Sequence, residues 1–167
     1  QGAHTVPSKA APRGGYLDTI LEIENTVPGD LVKVTYSMTS KTGLIQPADI
    51  HRLRFSLSGP NDDFTFYTQE NVPSAMKPSG TNWTYTFSTP LPDDAMGSFS
   101  LGIEGRIETE LNGEEMEEQI QNYIEPFAVT DTMVTDRRMV VDDAKCESCH
   151  SNLSLHGTNR HDANGYC

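Results

Sequence analysis

Near the end of the 167-residue chain stands the run Lys145-Cys146-Glu147-Ser148-Cys149-His150. Two thiols separated by two residues, with an imidazole directly after the second, can do one specific kind of chemistry. Residues three apart share one face of a helical turn, so both sulfurs can reach the same edge of a flat ring. The adjacent His150 can then swing under that ring and offer a nitrogen to a metal at its centre. Cys-x-x-Cys-His is the attachment signature of c-type haem. It predicts covalent haem c on Cys146 and Cys149, with His150 as an axial ligand of the iron. The cofactor would bring the redox chemistry, and the protein would set its orientation, ligation and burial.

The rival chemistries lack their context. Half of a zinc site needs a second Cys-x-x-Cys or a His-x-x-x-His, and the chain has neither. A thioredoxin-like redox pair belongs at a helix start in a βαβ pattern, which the sequence does not contain. A disulfide closed across two residues is tight. The third cysteine, Cys167, is the last residue. It reads as the first Cys of a second haem motif in a longer protein, against the plainer reading of a free or intermolecular thiol.

The elements that must position this motif are strands. Residues 1–15 are rich in Ala, Pro, Gly and Ser and read as a tail or linker. From Tyr16 the pattern has a period of two. Leu17, Thr19, Leu21 and Ile23 are expected on the inner face of a first strand, with Asp18, Glu22 and Glu24 outside. Val32, Val34, Tyr36 and Met38 mark a second strand, and Leu53, Phe55 and Leu57 a third. Phe64, Phe66 and Thr68 suggest a fourth. Trp83, Tyr85 and Phe87 make an aromatic fifth, and Phe99, Leu101 and Ile103 a sixth. Residues 71–80, with two prolines, read as loop. Gly105 predicts a bulge or bend, and Asn112-Gly113 a type I′ hairpin turn leading into a return strand through Met116, Ile120, Tyr123 and Phe127. A last strand is expected at about 133–141.

Some eight short strands with turn signals between them, and no helical period before residue 142, predict an antiparallel Greek-key split barrel or sandwich. The expected organisation is a tail over 1–15, a β-barrel or β-sandwich domain over 16–135, and the start of a haem domain over 136–167. That last segment is polar and aperiodic, with little regular structure, and needs a haem to pack around.

Composition narrows the partners. Twelve basic against twenty-four acidic residues give a formal charge of −12, which argues against nucleic acid and against anionic lipid. No apolar run is long enough to cross a bilayer. Glu114, Glu115, Glu117 and Glu118 lack the alternating spacing of a calcium loop and read as a solvated strand edge. The tripeptides at Asn82 and Asn152 fit a glycosylation sequon, which carries little weight because the haem context suggests a bacterium. No hydrolase elbow, zincin motif or phosphate loop is present, so the chain reads as an electron carrier before an enzyme.

Arg137-Arg138-Met139-Val140-Val141-Asp142, the haem motif, Leu153-Ser154-Leu155-His156-Gly157, Arg160 and Tyr166-Cys167 together resemble the N-terminal portion of the extracellular outer-membrane multihaem c-type cytochromes of metal-respiring bacteria, the OmcA/MtrC type. In that family split β-barrels alternate with pentahaem domains. The resemblance implies export to the cell surface or outer membrane, or to the periplasm. It implies other haems and cytochromes of an outer-membrane electron-transfer complex as partners. Metal oxides, soluble ferric iron and flavins would be acceptors, with terminal metal reduction a property of the full multihaem protein. It also implies bis-His ligation. His156 is the first candidate for a second ligand, although its closeness to His150 fits a neighbouring haem better than the same iron. His161 is the second candidate, and Cys167 would open the next motif. Two other classes compete: a β-sandwich binding or assembly module whose haem motif is a remnant, and a haem enzyme with an open iron site.

Overall fold

The computed structural model describes residues 15–46, 49–72, 76–138, 142, 145, 154, 155, 160 and 161. Nine strands occupy the first part of the chain: β1 (Leu17–Glu24), β2 (Lys33–Ser40), β3 (Gly43–Leu44), β4 (Arg52–Gly59), β5 (Phe66–Asn71), β6 (Lys77–Ser79), β7 (Asn82–Thr86), β8 (Ser98–Leu111) and β9 (Glu114–Ala128). They form two antiparallel sheets. One runs β1-β2-β7-β6, with β3 paired to β2, and the other runs β5-β4-β8-β9. The chain crosses between the sheets after β3, after β5 and after β7, so strands distant in sequence become neighbours. A two-stranded ribbon follows, β10 (Ser154–Leu155) paired with β11 (Arg160–His161).

The sheets close on one apolar core. Val34, Tyr36 and Met38 from β2 face Leu53, Phe55 and Leu57 from β4 and Phe99, Leu101 and Ile103 from β8, all almost fully buried. Each such side chain contributes roughly 1.5–3 kcal/mol on burial. Across the interface Phe55 meets Tyr36 edge-on at 4.8 Å and Tyr85 edge-on at 5.7 Å, the geometry that the charge distribution of aromatic rings favours. Where β1 and β9 run side by side, Gln121 N donates to Tyr16 O at 3.2 Å.

The β8–β9 hairpin turns at Asn112 and Gly113 with φ of 56° and 83°, the left-handed pair that a type I′ turn requires. The expected irregularity at Gly105 is a register shift between Ile103 and Gly105. A Cβ on Gly105 would lie 2.9 Å from the Arg52 carbonyl oxygen, so only glycine fits this close approach.

Three local expectations are overturned. The faces of β1 are inverted at its start: Asp18 and Ile20 are buried, while Leu17 and Leu21 are exposed. Pairing explains this. Asp18 stands opposite Met38 and Ile20 opposite Tyr36, and directly paired residues share a sheet face. The strong inward pattern of β2 therefore dictates the register of β1. A bulge between Ile20 and Glu22 then returns Ile23 to the core side. Second, residues 77–79 are strand, not loop, pairing with β7. Third, residues 133–138 form no strand. This segment is held by side chains instead: Asn61 Nδ2 donates to Thr135 O at 2.7 Å, and Thr135 N to Ser98 Oγ at 2.9 Å. Those bonds leave Met133 at 80% exposure.

Candidate functional site

The sequence places its chemistry at Cys146, Cys149 and His150, with His156 and Cys167 in support. All five lie outside the described residues. His161 lies on β11, where its backbone pairs with Ser154. Of the described residues that flank the motif in sequence, Arg137 and Arg160 both line one surface, the outer face of the β5-β4-β8-β9 sheet.

That face is built from alternation. With Leu53, Phe55 and Leu57 inside, Arg54, Ser56 and Ser58 of β4 must point out. Register sets their neighbours: Ser58 opposite Ser100, Ser56 opposite Gly102, Arg54 opposite Glu104. On the flanks Tyr67 stands opposite Ser58 and Ile124 opposite Gly102. The central positions are thus small, and their neighbours are large. The result is a trough of about 330 Å³, floored by Ser56, Ser58, Ser100 and Gly102. Phe64, Phe66, Tyr67 and Ile124 wall it, and Arg137 and Arg160 complete the rim.

Each rim residue is positioned by a separate device. After β9 the chain turns back: Gly97 N donates to Thr130 Oγ1 and Ser98 Oγ to Asp131 Oδ2, both at 2.7 Å. Asn61 then holds Thr135 while accepting from Ser100 Oγ at 2.8 Å. This delivers Arg137, whose guanidinium lies 4.3 Å from the Phe64 ring centre. A cation over an aromatic face is worth roughly 0.5–1 kcal/mol at an exposed site. Phe64 itself sits at φ 52°, a left-handed conformation that costs a bulky residue about 1–3 kcal/mol and gathers at functional sites.

Arg160 arrives from the other side. Its Nε donates to Glu104 Oε2 at 2.8 Å. Glu104 is only 2% exposed, and Arg54 approaches its other oxygen at 3.8 Å. Further along the same face Arg52 pairs across the strands with Arg106, and Arg106 bonds Glu117 at 2.8 Å. Burial, and then repulsion from Arg54 and Arg106, hold the Arg52 guanidinium below its ordinary pKa. Five of the seven arginines of this acidic chain therefore lie on one sheet face. The acidic residues of the β8–β9 hairpin form no metal-binding group, and none of three or more His, Cys, Asp or Glu occurs among the described residues. His51 is exposed and 2.9 Å from Glu108.

The chain matches no protein-family model and no curated protein. Its fold has a known counterpart. A crystal structure of MtrC from Shewanella baltica OS185 superposes with a TM-score of 0.63 at 15% identity, over 90% of this chain and 32% of that one. The likeness is one of fold, an antiparallel β-sandwich, and this chain spans only that minor share of the longer protein. No helix among the described residues is long and apolar enough to cross a membrane.

Sequence reasoning missed the trough. Arg137 and Arg160 were legible only as part of a resemblance, and Glu104 was not singled out. A signal was present: Ser56, Ser58, Ser100 and Gly102 are all small at positions where two neighbouring strands point away from the core.

Proposed function

We propose that this chain carries haem c on Cys146 and Cys149, with His150 as an axial ligand, and serves as an electron carrier within a longer extracellular multihaem cytochrome. The single observation that carries the reading is the Cys146-x-x-Cys149-His150 spacing. The MtrC-like fold of the domain in front of it supports the reading. The bound group would supply one-electron exchange between ferric and ferrous iron. The chain's own residues bind and orient. Arg137 and Arg160 tie the residues on either side of the motif to the β-sandwich. His156 and His161 are the candidates for a second axial ligand. Partner haems would pass electrons on to ferric minerals, soluble ferric iron or flavins outside the outer membrane.

The test is production of the chain in a host that matures c-type cytochromes, followed by intact mass under denaturing conditions and absorbance of the reduced protein. One covalently retained haem, lost in Cys146→Ala/Cys149→Ala, is the expected result. A mass equal to the bare polypeptide overturns it. A spectrum unchanged by carbon monoxide is expected for two histidine ligands, and a carbon monoxide complex would point to the open iron site of an enzyme.

A second reading has its own observation. The arginine-lined trough would serve a binding module that recognises an anionic partner without any redox chemistry. It predicts that the bare polypeptide, without haem, retains the partner.

A further inference from the structure

We propose that Arg52 of β4 and Arg106 of β8 form a binding site for a small oxyanion, a phosphate or a carboxylate, on the outer sheet face beyond the trough. None of its residues belongs to the haem motif, so the site is independent of the electron-carrier reading. Three features converge on it.

The first is placement. Leu53 and Phe55 are fully buried, so alternation puts Arg52 and Arg54 on the outer face of β4. Register sets Arg106 directly opposite Arg52. Cβ atoms so opposed stand about 4.5–5.5 Å apart, and like charges there destabilise a strand pair. In a chain with twenty-four acidic residues and twelve basic ones, an arginine facing an arginine is a local conflict, and such conflicts gather at functional sites.

The second is the missing counter-charge. Two carboxylates act on Arg52, and both are engaged elsewhere. Glu104 is held by Arg160 at 2.8 Å and approached by Arg54 at 3.8 Å; Glu117 is held by Arg106 at 2.8 Å. Among the described residues Arg52 forms no ion pair and no side-chain hydrogen bond. Glu104 and Glu117 attract it only from a distance, while Arg54 and Arg106 repel it.

The third is the set of donors left over. A guanidinium carries five N–H donors, and those of Arg52 are unclaimed by the protein. Arg106 spends Nη1 on Glu117, and its buried Nε has no partner; native proteins seldom leave a buried donor unpaired. An oxyanion accepting from both side chains turns a like-charge contact into a bridge. Planar guanidinium forks match phosphates and carboxylates in geometry as well as charge. Both arginines are half-buried, and partial removal from water strengthens such a contact.

The experiment is isothermal titration and thermal unfolding of the full chain as the parent, Arg52→Gln, Arg52→Lys, Arg106→Gln and Arg137→Gln. Inorganic phosphate and malonate are the probes, each compared with sodium chloride of equal ionic strength. At least one probe should bind the parent saturably and raise its unfolding midpoint; phosphate alone would assign a phosphate site, and malonate alone a carboxylate site. Arg52→Gln and Arg106→Gln should each weaken binding about tenfold or more, the worth of one charge-assisted hydrogen bond. Arg52→Lys keeps the charge without the fork and should fall between. Without a probe, Arg52→Gln should unfold at the parent's temperature or above it, because the change removes a repulsion and no bond. Arg137→Gln should bind like the parent. Binding lost in Arg137→Gln but kept in Arg52→Gln would place the anion in the trough and overturn the site. A parent that responds to both probes as it does to chloride would overturn it too. So would an Arg52→Gln midpoint that falls in chloride, which would make Arg52 a structural partner.

Discussion

Arg160 Nε donates to Glu104 Oε2 at 2.8 Å, and so joins the β10–β11 ribbon to a carboxylate buried on β8. A buried charge is tolerated only when it is paired and hydrogen-bonded. Arg54 alone, at 3.8 Å, is too distant for a good hydrogen bond. Arg160→Ala should therefore lower stability by about 1–3 kcal/mol. A double-mutant cycle with Glu104→Gln, read by urea unfolding, should give a coupling above the ~0.2–1 kcal/mol of exposed pairs. A coupling near zero would show that the ribbon docks by other contacts.

Asp18 gives the opposite kind of burial. Its carboxyl is 5% exposed, and neither oxygen has a hydrogen-bond partner. Burial alone pushes its pKa well above the ordinary 3.8. The folded state thus holds a proton that the unfolded chain releases. The contribution to stability is whole below 3.8 and declines as pH rises toward the raised folded value, above which the decline ends. Asp18→Val should remove that decline and raise stability at neutral pH by about 1–3 kcal/mol. Thermal unfolding at intervals from pH 4 to 9 checks this. Parallel curves for the parent and Asp18→Val would refute it.

Asp18 also shows what the sequence could and could not reveal. Val34, Tyr36 and Met38 announce β2 because a strand in the middle of a sheet repeats its alternation without interruption. Residues 17–23 look equally regular, yet their inner face is the other one. Among the described residues β1 pairs only with β2, and its register is inherited from there. Nothing local records the bulge at Leu21. The Asn112-Gly113 turn was legible because its conformation demands those residue types. The trough was not, since it arises only when β4 and β8, forty residues apart, become neighbours through a sheet crossing. The Cys146-x-x-Cys149-His150 run is the reverse case: the proposed haem attachment rests on its spacing, and the strands in front of it carry no trace of that chemistry.

Glu70 should impose a pH dependence of the opposite sign. Burial tends to raise its pKa, but bonds from Tyr85 Oη, from Ser88 N and Oγ and from Thr89 N outweigh this and hold it below the ordinary 4.5. Its stabilising contribution is present above 4.5 and is lost as pH falls through the lowered folded value. Glu70→Ala leaves the 88–89 turn without its acceptor and should cost about 1–3 kcal/mol near neutrality. The gap between variant and parent should narrow in acid. Unfolding midpoints at pH 7 and pH 3 decide the matter, and an equal gap at both would mean that the carboxylate charge contributes nothing.

Gly105 links the packing to the trough. It follows Glu104 in the β8 irregularity, and bulges commonly re-aim the side chains beside them. A methyl group there would meet the Arg52 carbonyl oxygen at 2.9 Å and the Leu53 and Ile120 methyl groups at 3.0 Å. The carbonyl belongs to a paired strand and cannot swing aside, so β4 and β8 must separate. Gly105→Ala should then cost about 1–3 kcal/mol, a fall of ~2–4 °C in Tm per kcal/mol for a chain of this size. Because the separation falls beside the Arg54–Glu104 pair, the variant should also weaken the Arg160 anchor. The Arg160–Glu104 coupling repeated in the Gly105→Ala background should shrink. An undiminished coupling, with Tm unchanged, would mean that the strand pair absorbs the methyl without moving Glu104.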